Sequence, residues 1–124
     1  MSMTFPNDTS VSLIQYFPEV TCLCSVTKVP FFSRVDIEFV PGKKLLEFIA
    51  FDEWLMTLSD KSYTIESLCD AIFDKLTEEI GYTNMSVSVN ATTVVHASAK
   101  AIRVRNVEAE RARAKQTAKL YKPR

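Results

Sequence analysis

Glycine is scarce in this chain: its 124 residues hold two, Gly42 and Gly81. A phosphate-cradling loop needs several glycines in one short stretch, so nucleotide binding of that kind is excluded. Histidine occurs once, at His96, which leaves no zinc site with two imidazole ligands. Cysteine occurs three times, at Cys22, Cys24 and Cys69. An odd, small number with no regular spacing does not read as a disulfide framework and suits a reducing compartment. No apolar run approaches the roughly eighteen residues of a membrane helix. The first dozen residues carry Asp8 and no basic cluster, so they do not read as a signal peptide, and a cytoplasmic location is expected.

The remainder is ordinary globular composition, 47% hydrophobic and 24% charged. The length suits one domain with a real core. The zero net charge hides an uneven spread. Residues 1–99 carry six Lys/Arg against thirteen Asp/Glu, a net of −7, and residues 100–124 carry nine against two, a net of +7. The basic tail holds one aromatic, Tyr121. Nucleic-acid binding therefore ranks behind a solvated helix that complements an acidic body.

Hydrophobic periodicity gives the elements. Met1 to Ser10 reads as loose, Val11 to Phe17 as an edge strand stopped by Pro18, and Val20 to Val26 as a short strand. From Arg34 to Val40 the alternation is strict, with Val35, Ile37 and Phe39 on one face. Pro41-Gly42-Lys43 is a turn. Leu45 to Leu58 reads as a helix and Ser59 to Tyr63 as a polar break. A second helix runs from the N-cap Thr64 to Ile80, with Gly81 at its end. Met85, Val87 and Val89 restore the period of two. A turn near Asn90 to Thr92 leads to a strand from Thr93 to Val104, and Asn106 to Leu120 reads as an exposed helix. The order ββααββ predicts an α+β domain, an antiparallel sheet with both helices on one face. The expected divisions are an N-terminal segment (1–19), the domain (20–105) and the basic tail (106–124).

Four local motifs in this order carry a resemblance. They are Cys24-Ser25-Val26-Thr27-Lys28-Val29-Pro30-Phe31-Phe32, then Phe39-Val40-Pro41-Gly42-Lys43-Lys44-Leu45-Leu46-Glu47, then Glu66 at a helix start, then His96-Ala97-Ser98. Their spacing resembles the tunnelling-fold superfamily over roughly residues 20–104. It is most similar to QueF, the NADPH-dependent 7-cyano-7-deazaguanine reductases, with their amidine-forming relatives, and more distantly to GTP cyclohydrolase I. The resemblance implies a ring-forming oligomer that binds a purine-like small molecule. It implies Cys24 as the nucleophile of a covalent thioimide, chemistry that a thiolate suits. It implies Glu66 and Glu47 as substrate-binding residues, a carboxylate being able to accept two side-by-side N–H bonds from a guanine-like edge. It makes His96 a candidate general acid or base. Arg34–Val40 and Thr93–Val104 are the expected edge strands for ring contacts.

The chain also departs from these families. Phe31 stands where QueF has a proton-donating Asp, and Ile65 stands where it has a His. The lysines of the nicotinamide signature are missing after Glu47, where Phe48, Ile49, Ala50, Phe51 and Asp52 follow. No cofactor is therefore assigned with certainty, and NADPH would lack its usual cationic grip. Thr27 and Ser98 occupy the cyclohydrolase zinc-ligand positions, and hydroxyls are poor zinc ligands. Cys22 and Cys24 are expected on opposite strand faces, so no metal site is assigned. The leading reading is a QueF-like enzyme, either a reductase or an amidine- or amide-forming one. The alternatives are a pterin-pathway enzyme and a non-catalytic purine-binding or assembly module.

Overall fold

The computed structural model describes residues 2–92 and 97–120. The elements are β1 (Thr4–Pro6), β2 (Ile14–Tyr16), β3 (Glu19–Cys24), β4 (Pro30–Phe39), β5 (Lys44–Leu46), α1 (Phe48–Met56), β6 (Ser62–Tyr63), α2 (Ile65–Ile80), β7 (Met85–Thr92), β8 (Ser98–Arg105) and α3 (Val107–Leu120). The expected α+β order is present around a mixed sheet.

The ten-residue β4 is the spine. It alternates exposed and buried along its length, with Ser33, Val35, Ile37 and Phe39 inward. On one side β2 and β3 pair with it in a single register, Ile14 opposite Phe39 through Leu23 opposite Pro30. Pro18 interrupts that ladder because it has no N–H, yet its carbonyl still accepts from the Val35 N–H at 2.9 Å. On the other side β4 pairs with β7, and β7 with β8. β4 is therefore interior, and the expectation of Arg34–Val40 as an edge is corrected. Among the described residues the edges are β2, β6, which pairs parallel to the end of β3, and β8. The sheet is accordingly not purely antiparallel.

Both helices bury their apolar faces in one core with the inner sheet face, through Phe51 and Leu55 of α1 and Leu68, Cys69, Ile72, Phe73 and Leu76 of α2. Helix α2 follows its local code. The Thr64 hydroxyl accepts from the Ser67 N–H while the Ser67 hydroxyl accepts from the Thr64 N–H, a reciprocal cap. Gly81 ends it at φ 93°, a conformation open to glycine. On β8, Arg103 lies 4.0 Å from the Phe73 ring and bonds Asp70 and Asp74 at 3.0 and 2.9 Å. Part of the basic C-terminal stretch thus already answers acidic side chains of α2.

Other boundaries differ from expectation. Leu45 and Leu46 lie in β5, not in a helix, because Glu47 caps α1. Residues 4–6 are not loose: β1 pairs with β5, Thr4 opposite Leu46. The polar break contains β6. Residues 90–92 extend β7 instead of turning, and β8 begins at Ser98. Over residues 107–117, α3 is exposed except for the half-buried Val107 and Glu110. No helix among the described residues is long and apolar enough to cross a membrane.

Ile72 is fully buried between α2 and the sheet. Ile72→Ala should cost about 2–5 kcal/mol, from lost transfer free energy and the cavity left behind. Urea denaturation should show this as a lower midpoint at unchanged slope.

Candidate functional site

Four segments, the first two joined by a tight turn, meet at one end of the sheet. They are the end of β3, the start of β4, the β6–α2 junction and the end of β7. Between them lies an apolar cleft of about 280 Å³, walled by Val26, Val29, Pro30, Phe31, Tyr63 and Ile65, with Cys24 and Thr27 on its rim. The β3–β4 turn is closed by Lys28 N–H to the Cys24 carbonyl at 2.8 Å and by Cys24 N–H to the Val29 carbonyl at 2.9 Å. Ser25 N–H reaches the Tyr63 carbonyl at 3.1 Å, which ties the turn to β6. Lys28 takes φ 62°, the left-handed conformation the tight turn demands.

The pKa of the Cys24 thiol is lowered below the ordinary cysteine value, chiefly by the Thr27 hydroxyl, then by the Thr27 and Val26 N–H groups, with the Lys28 charge adding to this. The other two thiols differ. Cys22 is 0% exposed and burial pushes it up to about 11, with the Cys24 charge contributing. Burial also raises Cys69, whose sulfur contacts the Val87 carbonyl. Cys22 and Cys24 lie two apart in β3 and so share a face, which corrects the expectation that they face opposite ways. No group of three or more His, Cys, Asp or Glu is close enough to hold a metal ion among the described residues.

The other candidates are placed as follows. Glu66 is exposed in the first turn of α2, next to the cleft residues Thr64 and Ile65, but does not itself line the cleft. Glu47 does not face the cleft: its carboxylate caps α1, accepting from the Ala50 N–H at 2.7 Å and the Ile49 N–H at 3.3 Å. His96 lies outside the described residues. Phe31 and Ile65, which stand for an Asp and a His in the resemblance, both line the cleft and leave its wall apolar there. Sequence reasoning missed Tyr63, which lines the cleft.

The fold around this thiol-bearing cleft is that of a QueF-like protein. The crystal structure of the archaeosine synthase QueF-Like in the apo form matches 77% of this chain and 95% of its own, with TM-score 0.72 and 15% identity. In sequence the chain resembles the NADPH-dependent 7-cyano-7-deazaguanine reductases. It is 29% identical over 80 residues to that of Anaeromyxobacter sp. (strain Fw109-5), covering 62% of this chain and 66% of the relative. It is 27% identical over 88 residues to that of Chlorobaculum parvum, covering 70% and 74%. The chain spans less than two thirds of the length of several such relatives, down to 39% for that of Nitratidesulfovibrio vulgaris (strain DP4). No protein-family model matches the sequence.

Thiol reactivity should follow this geometry. Brief iodoacetamide treatment of the folded chain near neutral pH should modify Cys24 alone, read by intact mass and peptide mapping. Labelling should persist below the usual thiol range because the folded-state pKa is lowered, and it should fall as pH drops through that lowered value. Cys22 and Cys69 should label only after denaturation.

Proposed function

We propose that this chain is a QueF-like enzyme that binds a 7-deazaguanine base in the apolar cleft and attacks 7-cyano-7-deazaguanine through Cys24. The observation that carries the reading is Cys24 itself, a partly exposed thiol with a lowered pKa at the rim of a cleft beside the first turn of α2. A planar bicyclic base suits apolar walls with polar groups at one end. Glu66 would accept N–H bonds from the base edge. The thiolate forms an S–C bond as one C≡N π bond breaks, and the nitrogen takes up a proton. His96 is proposed as a general acid or base.

The intermediate can then go to reduction or to attack by an amine or water. Reduction would need NADPH, and the residues present do not fit its phosphates. Beyond Glu47, α1 exposes Phe48, Ile49, Asp52, Glu53 and Met56, which are apolar or acidic. Amidine or amide formation is the branch this surface supports. The chain is further proposed to form a homo-oligomeric ring. The outer sheet face exposes Phe17, Phe32, Ile102 and Val104, and the β8 edge has no second neighbour among the described residues.

Mixing the chain with 7-cyano-7-deazaguanine, without nicotinamide, should give one covalent adduct by intact mass. Cys24→Ala should give none, and Glu66→Ala should weaken binding by about ten- to a hundredfold in calorimetry. No adduct and no binding would overturn the reading. Light scattering should report a closed oligomer, which Phe32→Asp together with Ile102→Asp should break. A monomer at micromolar concentration would refute the ring.

A further inference from the structure

We infer that α3 is a docking arm for a second copy of this chain: its basic row, led by Arg111 and Lys115, seats on the acidic row Asp70, Asp74 and Glu78 of α2 in the neighbouring copy. This contact goes beyond the function proposed above and uses a different surface. Helix α2 packs on the inner face of the sheet, whereas the proposed ring surface is the outer face.

Charge complementarity carries the argument. The Val107 N–H at the start of α3 bonds Asn84 Oδ1 at 2.7 Å, and beyond that start no element packs along the helix among the described residues. A helix of 14 residues with nothing packed along it is marginal in water, so a partner would stabilise it. Arg111 and Lys115 lie four apart and so share a face, and Lys119 repeats the interval in sequence. Arg111 and Lys115 are exposed and make no salt bridge among the described residues. On α2, Asp70, Asp74 and Glu78 recur at the same interval and form one exposed ridge. Each step is about 6 Å along either helix, so successive charges of one row can stand opposite those of the other. The ridge already accepts a cation. Arg103 Nη1 bonds one oxygen of Asp70 and one of Asp74, yet those side chains stay 64% and 69% exposed. Glu78 is 72% exposed, with the Lys75 ammonium 3.9 Å away. Each carboxylate therefore has an oxygen open to another donor. The balance of charge favours a second copy as the partner. Residues 1–99 carry −7 and residues 100–124 carry +7, so the tail of one copy answers the body of the next with no charge left over. A nucleic acid would instead meet Glu108 and Glu110 at the start of α3, and the acidic body behind them.

Carbodiimide joins a lysine amine to a carboxylate it touches, so it reads this contact directly. Unlabelled and isotopically labelled chains would be mixed in equal amounts at low salt, at about millimolar concentration because exposed ion pairs are individually weak. Crosslinks from Lys115 to Asp70, Asp74 or Glu78 should join a labelled to an unlabelled peptide. Their yield should fall about tenfold or more when about 0.5 M salt screens the charges. A chain with Asp74→Lys and Glu78→Lys should lose most of these crosslinks. Mixing it with a chain carrying Arg111→Glu and Lys115→Glu should restore crosslinks between the two substituted rows. All four positions are exposed, so the variants should fold, which circular dichroism would verify. Crosslinks confined to one isotope would place α3 on its own body and overturn the inference. So would a yield indifferent to salt, or no crosslink at all. If a duplex RNA then bound the native chain but not the Arg111→Glu, Lys115→Glu chain, the arm would belong to a polyanion instead. Phe32→Asp with Ile102→Asp, which should break the proposed ring, should leave the mixed pairs in place. A closed ring without mixed pairs would keep the ring and sink the arm, and mixed pairs without a ring or a nitrile adduct would do the reverse.

Discussion

The two-sided ladder of β4 is the constraint on which the rest depends. One strand of ten residues fixes the register of β2 and β3 on one side and of β7 on the other. A slip of one residue would turn Val35, Ile37 and Phe39 outward and remove the floor on which both helices pack. The same register decides where the cleft opens. Because β4 begins at Pro30, opposite Leu23, the chain must turn between Cys24 and Val29, and that turn carries Cys24 at the cleft.

The environment of the three cysteines separates chemistry from packing. All three are thiols on or near the core sheet and α2. Two are enclosed, and burial raises their pKa, while Cys24 stands partly exposed at a strand end with its pKa lowered. The difference arises within a few residues of one strand, since Cys22 and Cys24 share a face and differ in depth. Phe31 and Ile65 supply apolar walls beside Cys24.

Much of the fold was legible in sequence because local signals carry it. The strict alternation in β4, the 3.6-residue period of α2, Thr64 as its cap and Gly81 as its stop each depend on neighbours within a turn or two. The stretch around Leu45 misled because a short apolar run is equally compatible with strand and helix. Its assignment to β5 rests on pairing with Thr4–Pro6, some forty residues away. Glu47 likewise looked like a ligand residue by spacing, and the structure spends both its oxygens on the start of α1.

The sequence by itself determined the α+β class and the order of the main elements, since these rest on periodicity and caps. Only the tertiary structure decided that β4 is interior, that β6 lies parallel to β3, and that Phe31, Tyr63 and Ile65 share one cleft with Cys24. It alone decided which thiols are buried and which is partly exposed. Those outcomes depend on contacts between segments tens of residues apart, and burial and hydrogen-bond geometry at such contacts exist only once the chain has closed on itself.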